Sequence, residues 1–87
     1  MTKKQIESKM EQLENEINKF DEEYIPNLEE KKSNIEDKAY ERESGENTEK
    51  EQEKIDKLEE QISTMEEIKD ALQEVYDKYE ELLQSFE

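Results

Sequence analysis

The stretch Glu41-Arg42-Glu43-Ser44-Gly45-Glu46-Asn47-Thr48 lies at the middle of an 87-residue chain and holds its only glycine. Glycine adopts a left-handed backbone without steric cost, so Gly45 suits the residue just past a helix end. Thr48 followed by Glu51 reads as a capping box that restarts the chain as a helix. That second signal is weak by itself, because six of the eight Ser/Thr residues have Glu or Gln three positions on. Gly45 therefore carries the division. It predicts one all-α domain over 1–87, with a helix over 3–42, a turn over 43–47 and a helix over 48–86.

Outward from the turn, both arms carry a heptad pattern. The apolar residues of the first arm are Ile6, Met10, Leu13, Ile17, Phe20, Tyr24, Leu28 and Ile35. Steps of four and three residues alternate as far as Tyr24, which is an a/d seam. In the second arm Ile55, Leu58, Ile62, Met65, Leu72, Tyr76, Tyr79, Leu83 and Phe86 keep one unbroken frame, with Lys69 in the single core slot that is not apolar. If the arms fold back on each other, facing residues have a constant sum of numbers. Ile6 with Leu83, Met10 with Tyr79, Leu13 with Tyr76, Ile17 with Leu72 and Tyr24 with Met65 all sum to 89. Beyond Pro26, Leu28 with Ile62 and Ile35 with Ile55 sum to 90. Two mirrored patterns predict an antiparallel coiled-coil hairpin. The one-residue slip falls beside the only proline, which lacks a backbone donor and rewinds or kinks a helix locally.

Such a hairpin is a rod of roughly 60 Å at 1.5 Å per residue, and its seam is thin. Between Ile35 and Ile55 only Ala39 and Tyr40 are apolar. The opposite end is richer, because Ile68, Val75 and Leu82 form a second stripe beside the seam at the g position. One partner helix leaves much of that stripe wet, and burying each such side chain is worth roughly 1.5–3 kcal/mol. Two outcomes are expected: self-association into a four-helix bundle, or docking of another protein's helix.

Charge separates the arms further. The chain holds 28 acidic and 13 basic side chains, a net charge of −15. Residues 1–35 are nearly balanced, with nine acids and six lysines. In the second helix every f position is glutamate: Glu53, Glu60, Glu67, Glu74 and Glu81. Asp56, Asp70 and Asp77 interleave at b, interrupted only by Ser63. Eight carboxylates thus run along the face opposite the core, either as a solvated exterior or as an electrostatic surface for a basic partner. A charge of −15 over about 60 Å is one per ~4 Å, against one per ~1.7 Å for duplex DNA. One hairpin is too dilute to imitate a duplex, and two side by side approach it. Without a basic patch, direct nucleic-acid binding is excluded.

Composition removes most chemistry. Hydrophobic residues make up 29% of the chain and charged residues 47%, a balance that suits disorder but for the scarcity of breakers (one Gly, one Pro). With no Cys and no His, disulfides, Cys/His zinc sites and thiol or imidazole catalysis are excluded. No phosphate loop, calcium loop or nucleophile constellation occurs, and a two-helix rod offers no enclosed site. The expectation is a protein that is no enzyme and takes no cofactor or metal. The acids at the tip, Glu41, Glu43 and Glu46, are read as a soluble loop; their one chemical use would be lending carboxylates to a partner's metal ion. Apolar runs never exceed two residues, as at Leu82-Leu83, so neither a membrane span nor a secretory segment is expected. The reading is cytoplasmic, with secretion by a leaderless route as the other possibility.

Two family resemblances attach to particular residues. The hairpin length, the central Ser44-Gly45 turn and the spacing Tyr76-x-x-x-Glu80 resemble the WXG family of type VII secretion hairpins, although Glu43 stands where that family has tryptophan. The likeness implies a helper or escort for a larger secreted toxin. The hairpin with a proline in helix one and the tip Arg42-Glu43-x-Gly45-Glu46 resembles the coiled-coil domain of Gre transcript-cleavage factors, which implies action on RNA polymerase. Here the segment from Pro26 to the tip is longer than in that family, and the reading expects no second globular domain. The expectation drawn from the residues themselves is a non-catalytic binding protein. Its acidic stripe and its apolar stripe together would block a larger basic, nucleic-acid-binding protein, in the manner of phage-type anti-defence inhibitors or immunity-type antagonists. The escort, or another coiled-coil adaptor, is the alternative.

Overall fold

A computed structural model describes residues 1–42 and 44–86. Helix α1 spans Lys3–Lys19, a five-residue π turn spans Phe20–Tyr24, α2 spans Ile25–Tyr40 and α3 spans Glu49–Gln84. The first three segments form one continuous arm against which α3 packs, giving an antiparallel helical hairpin of 65 × 16 × 13 Å. Both arms end about two residues earlier than the sequence predicts, at Tyr40 and Gln84.

Both helix starts are fixed by reciprocal caps. The Thr2 hydroxyl accepts from the Gln5 backbone N–H, and the Gln5 side chain accepts from the Thr2 N–H at 2.9 Å. Thr48 and Glu51 repeat the arrangement at α3, where the Glu51 carboxylate accepts from the Thr48 N–H at 2.8 Å. Each cap supplies partners for backbone groups that a helix end leaves open. Gly45 has φ +66°, the left-handed geometry expected of it, and its N–H donates to the Arg42 carbonyl at 3.0 Å. Glu43, placed in the turn by the sequence, lies outside the described residues.

The slip of register at the proline takes the form of the π turn. Pro26 cannot donate to the carbonyl four residues back. Ahead of it the Ile25 N–H reaches back five residues to the Phe20 carbonyl. A π turn accommodates one residue more than the α ladder does, so every later side chain is advanced by one position about the axis. Tyr24 is accordingly displaced from the seam where the heptad pattern puts it and is 40% exposed. Ile25 takes the core position and is 8% exposed. Pro26 then falls in the first turn of α2, where the loss is the one backbone hydrogen bond that its ring nitrogen cannot donate.

Buried completely or nearly so among the described residues are Ile6, Ile25, Ala39 and Ile55. The other seam positions are half-buried, with Phe86, at the frayed end of α3, largely exposed. Lys69 fills its core slot by packing its stem along the seam and extending its ammonium to Asp21 in the π turn, at 2.6 Å. That carboxylate holds the Lys69 pKa above its ordinary value.

Candidate protein-binding surface

Helix α3 carries both predicted stripes, and successive residues differ by 100° about its axis. Glu53, Asp56, Glu60, Glu67, Asp70, Glu74, Asp77 and Glu81 are all exposed. Over Glu53 to Glu81 they follow the helix for about 42 Å. Asp56 accepts a hydrogen bond from the Gln52 amide at 3.0 Å, and Asp77 one from Gln73 at 3.1 Å. Glu81 pairs with Lys78 at 3.4 Å, both side chains being largely in solvent. Among the described residues no lysine or arginine lies within 4 Å of the other seven. Apart from that exposed pair, the stripe is a row of solvated negative charge.

The apolar stripe is also open. Ile68, Val75 and Leu82 are 45%, 44% and 40% exposed. Val75 and Leu82 border a shallow groove with Tyr79 and Lys78, and Ile68 borders a second with Phe20, Tyr24 and Leu72. Here the π turn adds what the heptad pattern could not reveal. By moving Tyr24 off the seam it sets that ring edge-on to Phe20, with centroids 5.1 Å apart, on the same side of the rod as Ile68. The signal available in the sequence was Pro26, which marked the slip without saying which aromatic it would expel.

Elsewhere ion pairs tie the two arms together. Lys32 bridges α2 to Glu59 of α3 at 3.1 Å, and this pairing raises its pKa. At the tip Arg42, the only arginine, grips both oxygens of Glu51, the second contact at 2.7 Å. Bidentate geometry of this kind is the strong form of the pair. The guanidinium, with the Thr48 N–H, lowers the Glu51 carboxyl to about 2. Glu41 and Glu46 remain exposed at the tip. No group of three or more acids among the described residues is arranged to hold a metal ion. Nor is any described helix long and apolar enough to cross a membrane. Tyr76, of the Tyr76-x-x-x-Glu80 spacing, is half-buried on the seam, while Glu80 is exposed.

No protein-family profile, curated protein or solved structure matches this chain. What it can do is therefore argued from its own surface.

Proposed function

We propose that this hairpin is a non-catalytic inhibitor acting in the cytoplasm: it covers the basic, nucleic-acid-binding surface of a larger protein. The observation that carries the reading is the row of eight solvated carboxylates on α3 beside a row of exposed aliphatic side chains. Uncompensated charge steers a partner of opposite sign and sets its orientation, while apolar burial supplies residence time. A rod 65 Å long and about 15 Å wide has the proportions to lie in a groove built for a nucleic acid. Glu60, Glu67, Glu74 and Glu81 with Asp70 and Asp77 are the aligning groups, and Ile68, Val75 and Leu82 the buried ones.

The escort reading is favoured by one observation of its own, the exposure of the apolar stripe together with Tyr24. In that reading a partner helix lies on the apolar groove and the acids keep the complex in solution. Charge reversal separates the two. With the partner recovered by affinity capture and identified by mass spectrometry, the quadruple change of Glu60, Glu67, Glu74 and Glu81 to Lys abolishes binding and flattens its salt dependence if inhibition is right. Binding that survives that change but is lost on Val75→Glu identifies an escort or adaptor instead.

A further inference from the structure

We propose that a second copy of this chain covers the apolar face, the two hairpins lying antiparallel about a two-fold axis at the level of Val75. Ile68, Ala71, Val75, Lys78 and Leu82 are spaced by three, four, three and four residues. This is an a/d seam in its own right, on a side of α3 that the hairpin does not use. Its aliphatic members are 40–45% exposed, and Ala71 leaves room for close approach of a second helix.

Three features select a copy of the same chain over a foreign helix. The stripe is symmetric about its middle, Ile68 and Leu82 each lying seven residues from Val75, so a two-fold rotation lays Ile68 on the partner's Leu82 and Val75 on the partner's Val75. The facing edge of the first arm is symmetric about nearly the same level. Glu16 borders the same groove as Ile68, and Lys9 lies one heptad before it on that edge. By the hairpin register Lys9 and Glu16 stand level with residues 80 and 73, centred about 2 Å from the proposed axis at 1.5 Å per residue. The rotation that matches the apolar stripe to itself therefore also brings Lys9 toward the partner's Glu16, twice. Finally, beside its aliphatic row this face carries Thr64, Ala71 and Lys78 on α3, and Gln5, Gln12 and Lys19 on α1, with no acid among these six. In a chain of net charge −15, this is the side on which a like-charged copy can approach.

Each f and b position lies about 100° or more around the helix from the neighbouring g position, so both acidic stripes stay in solvent and come to lie along the same side of the bundle. With the axis at Val75, about 16 Å from the open end at 1.5 Å per residue, the two 65 Å rods overlap over only about 33 Å. Twice −15 is then spread over nearly 100 Å, about one charge per 3 Å, more dilute than the ~1.7 Å of duplex DNA. Net repulsion between the copies makes the dimer tighter as salt rises. That is the opposite of what salt does to a contact between this chain and a basic protein, so salt dependence tells the two contacts apart, although both draw on Ile68, Val75 and Leu82 and compete for that row.

Sedimentation of the full chain tests the pairing, with circular dichroism confirming that each variant remains helical. The expected mass is twice 10.5 kDa, with the dimer fraction increasing from low to high salt and lost on Val75→Glu. Cysteine cross-linking in this cysteine-free chain reads the geometry. Val75→Cys joins to itself on oxidation, whereas Ile68→Cys does not join to itself but does join to Leu82→Cys. Lys9→Glu weakens the dimer, and adding Glu16→Lys restores it. A mass of 10.5 kDa at every salt concentration overturns the proposal and leaves the face to a foreign helix or to solvent. Self-joining of Ile68→Cys, or no rescue by the charge swap, overturns the antiparallel geometry.

Discussion

The tip half of the hairpin and its open half solve the same shortage of apolar residues in opposite ways. Toward the tip α2 packs on the start of α3 with few apolar side chains, yet Ala39 and Ile55 are each only 3% exposed. That half is braced by Lys32 with Glu59 and by Arg42 with Glu51, its chain reversal is fixed by Gly45 and the Thr48 cap, and it leaves Tyr40 standing alone in water, 85% exposed. At the open half α1 and the end of α3 have more apolar surface and cover less of it. Ile68, Val75 and Leu82 stay exposed, and the π turn adds Tyr24. One region is braced by polar clamps between its arms. The other leaves a regular aliphatic row in water, which is the surface on which both proposals rest.

The largest expected effect is a contrast between two aliphatic residues on the same helix. Ile55→Ala removes a buried side chain and should cost about 2–5 kcal/mol in urea denaturation. Val75→Ala, measured at a dilution where the chain is monomeric, should stay within about 0.5 kcal/mol. Equal losses at both sites in dilute solution would erase the distinction between a finished tip and an unfinished open half.

A smaller effect is expected at the junction of the halves. Pro26→Ala restores a backbone donor, worth roughly 1 kcal/mol. The π turn should nonetheless persist, since Leu28, Ile35 and Ala39 face α3 only if the extra residue is kept. Amide exchange and nuclear magnetic resonance of the Tyr24 ring would report this. A ring that returns to the core in the variant would mean that proline alone, and not the downstream seam, holds the turn.

Most of the fold was legible in the sequence because heptads, a single glycine and a single proline are local signals with a known geometric meaning. The mirrored sums of 89 and 90 even located the discontinuity. The exchange of Tyr24 for Ile25 escaped because a slip of one residue can be absorbed on either side of a proline, and only backbone hydrogen bonding decides where. The Arg42–Glu51 clamp escaped for another reason. Glu51 reads from the sequence as the second half of a capping box, and nothing in its spacing signals that the same carboxylate also accepts from Arg42 across the turn. For the candidate surface, exposure of the eight acids and three aliphatics follows from their wheel positions.

The smallest effect expected lies at the tip, and its sign distinguishes one clamped acid from the remaining acidic surface. Glu51 has its carboxyl lowered from an ordinary value of 4.5 to about 2 by Arg42 and the Thr48 N–H. A depressed folded-state pKa means that the clamp contributes its full stability above pH 4.5 and loses it as pH falls through about 2. Mild acid has the reverse effect through the rest of the chain, because protonation reduces the repulsion of a net charge of −15. Helicity followed by circular dichroism should therefore rise on mild acidification, as it does on adding salt, and fall again as pH approaches 2. Glu51→Gln should lower helicity slightly at neutral pH and remove most of the final fall. If the decline near pH 2 persists unchanged in that variant, it reflects general acid unfolding and the clamp does not hold the tip closed.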